Sequence, residues 1–236
     1  MKISIFIDYD NLTPQQKNLG IKGVVQKVLL LDDFATSKTR GECTIRLYGG
    51  WYEGEGLTAS AEMLIAEIGD SFPTILSAKG EMTIRLSTQA ELAYSMSETP
   101  REHLFGTYRK KQFPYNIRCT SPTTLGCCDN ACPLVVLKNF LRKRKCPNEG
   151  CNIDISQFLY RNEQKLVDTM LTCDILYSHK VFPNGHVYVV SSDDDILPAV
   201  NTLSARGMQV VRVHTKPTSN QLYGNNTCQH TERSIA

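Results

Sequence analysis

The residues best suited to chemistry are acids gathered at two places far apart in the chain. Asp193, Asp194 and Asp195 stand in a row directly after the run Val187-Tyr188-Val189-Val190-Ser191-Ser192, and Asp8-Tyr9-Asp10-Asn11 closes the apolar run that begins at Lys2. Adjacent like charges repel, and a bound cation is the usual relief. The competing reading, acids drawn to the positive end of a helix dipole, accounts for either group alone but poorly for both. Asp168 opens a helical pattern ahead of the second run and can reach the same crevice. This donor set is all oxygen, with no histidine or cysteine, and such sets select Mg²⁺ or Mn²⁺. One or two such ions activate a water and stabilise the leaving oxygen in phosphodiester hydrolysis.

Both acidic groups follow short apolar runs that read as strands buried on two faces. Lys2 to Ile7, Thr44 to Tyr48, Val187 to Val190 and Gln209 to His214 are such runs. Helical spacing recurs over Ile21 to Leu29, Ala59 to Ile68, Asn162 to Tyr177 and Leu197 to Arg206, the last ended by Gly207. Residues 74–96 are ambiguous: Ile75-Leu76 and the alternation of Ile84 with Leu86 suggest strands, while Gln89 to Met96 fits either strand or helix. Strand–helix alternation predicts a three-layer α/β fold of Rossmann-like type with a mostly parallel central sheet. Acids at the carboxyl ends of its strands then sit where such sheets bind ligands. Asp174, six residues past Asp168 and about 120° around a helix, is expected not to share the metal but to act structurally or to support the metal-binding acids from behind.

The chain has 236 residues and a formal charge of +2 at pH 7, so no global field selects nucleic acid or an anionic surface. Its opening apolar run is too short for a signal peptide, and no run approaches a membrane span; a soluble cytoplasmic protein is expected. The apolar pattern fails over 100–161, where eleven Lys and Arg face four acids. This basic, cysteine-rich stretch is an insertion in a domain covering 1–215, and 216–236 reads as a polar tail. Cys127 and Cys132 have four residues between them, as do Cys146 and Cys151. Two matched pairs around the helical segment Leu134 to Leu141 suit a structural Cys₄ zinc site, with Cys128 and Cys119 as alternates; the rival is a set of buried thiols. Arg109, Lys110, Lys111, Arg142, Lys143, Arg144 and Lys145 suit a basic surface beside the acidic crevice, holding a nucleic-acid backbone, against the plainer reading of a solvated face. Tyr108, Phe113 and Tyr115 are candidates for base stacking or for core packing.

Phe6-Ile7-Asp8-Tyr9-Asp10-Asn11-Leu12, Gln164-Lys165-Leu166-Val167-Asp168 with Asp174, and Val190-Ser191-Ser192-Asp193-Asp194-Asp195 together resemble the NYN domain of the PIN-like nuclease superfamily. Tyr48-Gly49-Gly50-Trp51 and Gly207 fall where similar residues do. The resemblance spans 2–100 and 161–215. It implies an Mg²⁺-dependent endoribonuclease of PIN-like fold, with Asp8, Asp168, Asp193 and Asp195 around the metal, Asp10 supporting them, and Asn11 positioning a ligand or the substrate phosphate. The chain departs from the family at Ser192, where glycine is frequent, at Asp194, where a small residue is, at Ile196, where an aromatic is, and at Leu166, where glycine is usual. None of these removes a matched acid.

Two other functions fit part of the pattern. Asp8-Tyr9-Asp10 after an apolar strand also suits a phosphatase of the haloacid dehalogenase type, with a covalent aspartyl route, but Leu12 and the spacing of the later acids do not follow it. A non-catalytic nucleic-acid-binding module would lack metal-ligating acids, and here all the matched ones are present. The partner expected is RNA, with DNA open; a homodimer or a regulatory protein partner is also left open.

Overall fold

Strand β1 (Lys2–Asp8) is buried from Ile3 to its end, because parallel neighbours flank it on both sides. The computed structural model describes residues 1–31, 34, 38–79, 83–112, 117–127, 132–146, 148–217 and 230–236. After β1, a 3-10 turn (Tyr9–Asn11) leads to helix α1 (Pro14–Asn18), opened by a reciprocal cap between Thr13 and Gln16. Helix α2 (Gly20–Leu29) buries Ile21, Val24, Val25, Val28 and Leu29, the stripe that its 3.6-residue period demands. Strand β2 (Arg40–Tyr48) precedes a short hairpin, β3 (Tyr52–Glu53) and β4 (Gly56–Leu57), and then α3 (Ala59–Ser71), capped by Thr58. The ambiguous stretch 74–96 resolves into the antiparallel pair β5 (Thr74–Ala78) and β6 (Ile84–Leu92). After the insertion come α6 (Val167–Val181), β9 (His186–Val190), a 3-10 turn (Asp194–Ile196), α7 (Leu197–Ala205), β10 (Gln209–His214) and β11 (Thr231–Ser234). The insertion contributes β7 (Tyr108–Gln112), α4 (Pro133–Lys143), α5 (Ile155–Phe158) and β8 (Tyr160–Gln164).

The main sheet runs in the order β11-β10-β9-β1-β2-β6-β5, parallel throughout except at β5. From β1 the chain builds outward on one side through β2 and β6, then returns to add β9 and β10 on the other. The order therefore reverses between β1 and β9. Side chains alternate across the sheet and fill two cores. Ile3, Ile5 and Ile7 pack with Val24, Val28, Ala61 and Leu64 on one face. Phe6, Val187 and Val189 pack with Met170, Leu171, Ile175, Val200 and Leu203 on the other. Each such buried side chain stabilises the fold by about 1.5–3 kcal/mol. Among the described residues, no helix is long and apolar enough to cross a membrane.

The chain divides into two compact units, Met1–Tyr108 with Gln164–Ala236, and the inserted Arg109–Glu163. Residues between β6 and Tyr108 stay with the larger unit through backbone bonds from Ala93 to Leu47, Leu104 to Tyr94 and Gly106 to Gly54. Two sequence expectations are corrected. The helix read over Asn162 to Tyr177 begins only at Val167, its first residues forming β8 instead. The polar tail ends in a strand, β11, paired in parallel with β10, because backbone pairing asks nothing of side-chain polarity.

Helix α6 starts where it does because Leu166 adopts a left-handed conformation, φ +67°, which breaks the strand. For an L-residue with a Cβ this costs about 1–2 kcal/mol, and Leu166 is half exposed, so packing returns little of it. Glycine at this position relieves the strain but adds roughly 0.4–1 kcal/mol of unfolded-chain entropy. Leu166→Gly is therefore expected to stabilise the protein by about 0.5–1 kcal/mol in urea unfolding; an unchanged or lower midpoint would refute the strain.

Candidate active site

Asp8 ends β1 beside Tyr48 of β2 and next to Val190 of β9 in the register of the sheet. Its carboxylate is 6 % exposed and its Oδ2 accepts the Ser191 hydroxyl at 2.9 Å. Ser191 Oγ in turn accepts the Asp193 N–H at 3.0 Å, so one hydroxyl ties the ends of both strands. Asp193 caps the following 3-10 turn, its Oδ1 accepting the Asp195 N–H at 3.0 Å. Asn11 Oδ1 accepts the Ser192 N–H at 3.2 Å and the Thr215 hydroxyl at 3.0 Å, which joins the loops after β1, β9 and β10. Its oxygen thus holds the crevice's walls. Asp10 Oδ2 accepts the Gly50 N–H at 3.3 Å. A Cβ on the neighbouring Gly49 would lie 2.6 Å from the Trp51 ring and 3.0 Å from Asp10 Oδ2, so that close approach requires glycine.

The acids influence one another. Burial pushes the Asp8 carboxyl up from 3.8 to about 6; the Ser191 bond pulls it partly back, and the Asp10 and Asp168 charges push it further. Asp168, in the first turn of α6, is also raised, first by burial and then by Asp193, Asp195 and Asp10. Asp8, Asp10, Asp168, Asp193 and Asp195 thus share one electrostatic neighbourhood. Among the described residues, no three His, Cys, Asp or Glu side chains stand close enough to enclose an ion by themselves. Mg²⁺ keeps several waters and uses one or two carboxylates, so an open all-carboxylate crevice fits it by donor type and charge.

Asp194, the middle acid of the row, faces elsewhere. It pairs at 2.9 Å with Arg212 Nη2 of β10. Arg212 is 2 % exposed and also donates to the Asp193 and Ser191 carbonyls, at 2.8 and 3.4 Å. It holds the acidic loop in place, and sequence reasoning passed over it. The available signal was a lone guanidinium in an apolar strand, since a buried charge must find partners. Asp174 is structural. Buried in α6, it accepts from the Tyr48 hydroxyl at 2.7 Å and the Ser97 N–H at 2.6 Å, and pairs with Arg46 at 3.4 Å.

In the inserted unit, the Cys127 and Cys132 thiols share a hydrogen bond that lowers the Cys132 pKa. Cys146 instead lines an apolar groove of about 600 Å³ with Val136, Leu137, Phe140, Ile153 and Phe158. Cys119 is exposed, Cys151 is half-buried, and Cys128, Phe113 and Tyr115 lie outside the described residues. The sulfur type suits zinc, but among the described residues no three Cys, His, Asp or Glu side chains gather as a metal site. Of the basic residues, Lys111 pairs with Glu163 at 3.1 Å and Lys110 lies over the Tyr160 ring. Arg142 and Lys143 sit in the last turn of α4, ahead of Arg144, which ends the helix with φ 59°; Arg109 and Lys145 are exposed.

No family profile, curated protein sequence or solved structure matches the chain. The site's own electrostatics yield a measurable consequence. Because the folded state holds the Asp8 proton up to a higher pH than the unfolded chain, stability falls as pH rises from about 3.8 to about 6, and the loss persists above that window. Asp8→Asn keeps an oxygen acceptor for Ser191 and removes the charge. In the metal-free protein it is expected to be more stable than wild type by about 1–3 kcal/mol at pH 7.5, with the gap closing near pH 4. Urea unfolding at the two pH values measures this, and a gap independent of pH would contradict it.

Proposed function

We propose that this chain is a metal-dependent ribonuclease of the NYN type within the PIN-like superfamily, hydrolysing RNA phosphodiester bonds at Asp8, Asp10, Asp168, Asp193 and Asp195. The observation that carries this reading is the place of the acids. Asp8, Asp10, Asp193 and Asp195 follow the carboxyl ends of β1 and β9, where the strand order reverses, and Asp168 in the first turn of α6 shares their electrostatic neighbourhood; open α/β sheets bind ligands at such a place. Mg²⁺ or Mn²⁺ bound there would supply an activated water and stabilise the leaving oxygen. The chain's own contribution is positional. Ser191 orients Asp8 and the backbone of Asp193, Asn11 joins three loops, and Arg212 holds the acidic turn from beneath.

The test is cleavage of labelled single-stranded RNA with Mg²⁺, Mn²⁺ or EDTA, by wild type and Asp193→Asn. The substitution retains the Oδ1 that caps Asp195 and preserves volume, so the fold should persist. Cleavage should require metal and fall on the order of a hundredfold or more in the variant, the equivalent of several kcal/mol of charge stabilisation. Metal should also raise the melting temperature of wild type more than that of the variant. RNA retained without cutting under any condition would leave a binding module in its place.

A further inference from the structure

An aromatic cluster lies beyond the same edge of the sheet as the acids. Tyr52 follows β2 and Tyr94 follows β6; their rings are 5.5 Å apart. Phe105 meets Tyr52 edge-on at 4.9 Å, and His103 stacks on Tyr94 at 5.7 Å and reaches the Tyr52 hydroxyl through Nδ1 at 3.2 Å. Exposure alternates along the segment that carries His103 and Phe105. Leu104 turns inward against the second core, while His103 and Phe105 are exposed, Phe105 by 50 %. Backbone bonds from Leu104 to the Tyr94 carbonyl (2.7 Å) and from Gly106 to the Gly54 carbonyl (2.9 Å) hold the segment down, and Tyr52 N–H donates to Thr107 Oγ1 at 2.9 Å. The exposed rings are therefore fixed before anything binds, which spares a ligand the cost of ordering them.

Their distance from the acids follows from the register. Asp8 pairs with Tyr48, and Leu47 with Leu92. Tyr52 and Tyr94 thus emerge beyond the carboxyl edge on which Asp8 lies, with β6 two strand spacings from β1, roughly 10 Å. The loop between them is tied directly to the site by the bond from Gly50 to Asp10. Core packing explains Tyr52, which is buried, but not two neighbouring rings turned to solvent on a rigid support.

We propose that His103 and Phe105, seated on Tyr52 and Tyr94, form a stacking platform for unpaired bases of the nucleic acid whose backbone enters the carboxylate crevice. Resting on the nuclease reading, this names the substrate class as a single strand. Each base of a single strand offers a ring face to an aromatic side chain, whereas duplex bases are already stacked and must first be pulled out at a cost of a few kcal/mol.

The experiment measures binding of single-stranded RNA, single-stranded DNA and duplex RNA of equal length to full-length Asp193→Asn, alone and combined with Phe105→Ala, His103→Ala or Phe105→Trp. A 2-aminopurine in the single strands reports stacking. Melting curves check that each variant is folded, which the exposure of both side chains favours. Phe105→Ala should weaken single-strand binding roughly ten- to a hundredfold and lessen quenching of the probe; Phe105→Trp should restore both, and duplex affinity should not move. Equal losses for single strand and duplex, or no loss with folded Phe105→Ala, would overturn the platform. Cleavage by the catalytically intact protein is scored separately. Cutting with Phe105-independent binding sinks the platform alone, and Phe105-dependent binding without cutting sinks the nuclease alone. No binding of any strand sinks both. Comparing the RNA and DNA strands shows whether the platform distinguishes the sugar.

Discussion

Carboxylates that repel one another must be held together by something other than their own attraction, and the rest of this structure depends on how that is done. Asp8 sits at the end of a strand hydrogen-bonded on both sides, so its backbone cannot retreat. The Ser191 hydroxyl joins it to the opposing acidic loop, and a buried guanidinium, Arg212, braces that loop through two carbonyls and Asp194. Arg212 works through two carbonyl oxygens and the side chains of Asp194 and Glu232, so it braces the loop without pairing with the carboxylates of Asp8 or Asp168. A guanidinium that neutralised those acids directly would take the place of a metal.

The parts legible from sequence were those whose signal is redundant. The apolar runs of β1 and β9 specify where the acids that follow them stand, and the stripe of α2 appears as spaced. Helical geometry allows Asp174 a structural role, and its contacts with Tyr48, Ser97 and Arg46 fill it in. Arg212 escaped because a charge within a strand has no meaning until its partners, some twenty residues away, are placed beside it. The start of α6 escaped for a different reason. Asn162 to Gln164 fit a helix as well as a strand, and the decisive event is one backbone torsion at Leu166. His103 and Phe105 lay in a stretch where periodicity fades, so an alternation three residues long could not be distinguished from loop.

The inserted unit shows how far composition alone reaches. Its segregated charge marked it as separate, and it does form its own compact unit. Its cysteines have a spacing that suits a metal cage; among the described residues, Cys127 bonds to Cys132 while Cys146 faces aliphatic and aromatic neighbours. Helix α4 buries none of its residues fully, so little apolar packing dictates where the sulfurs go. Spacing constrains such a site strongly only when a core or a bound ion finishes the job.

Strand β11 has a consequence for how the protein behaves among its own copies. Strand β10 carries Val210, Val211 and Val213, and an open flank there would offer unpaired amides and carbonyls to any extended segment nearby, the ordinary route to edge-to-edge aggregation. Thr231–Ser234 occupies that flank and replaces it with an outer edge only four residues long, with Glu232 and Arg233 at its middle. A short, charged rim is a poor template for further strand addition. The strand thus covers β10 from Val211 to His214 with residues that contribute almost nothing to the core, leaving a rim unsuited to further strand addition.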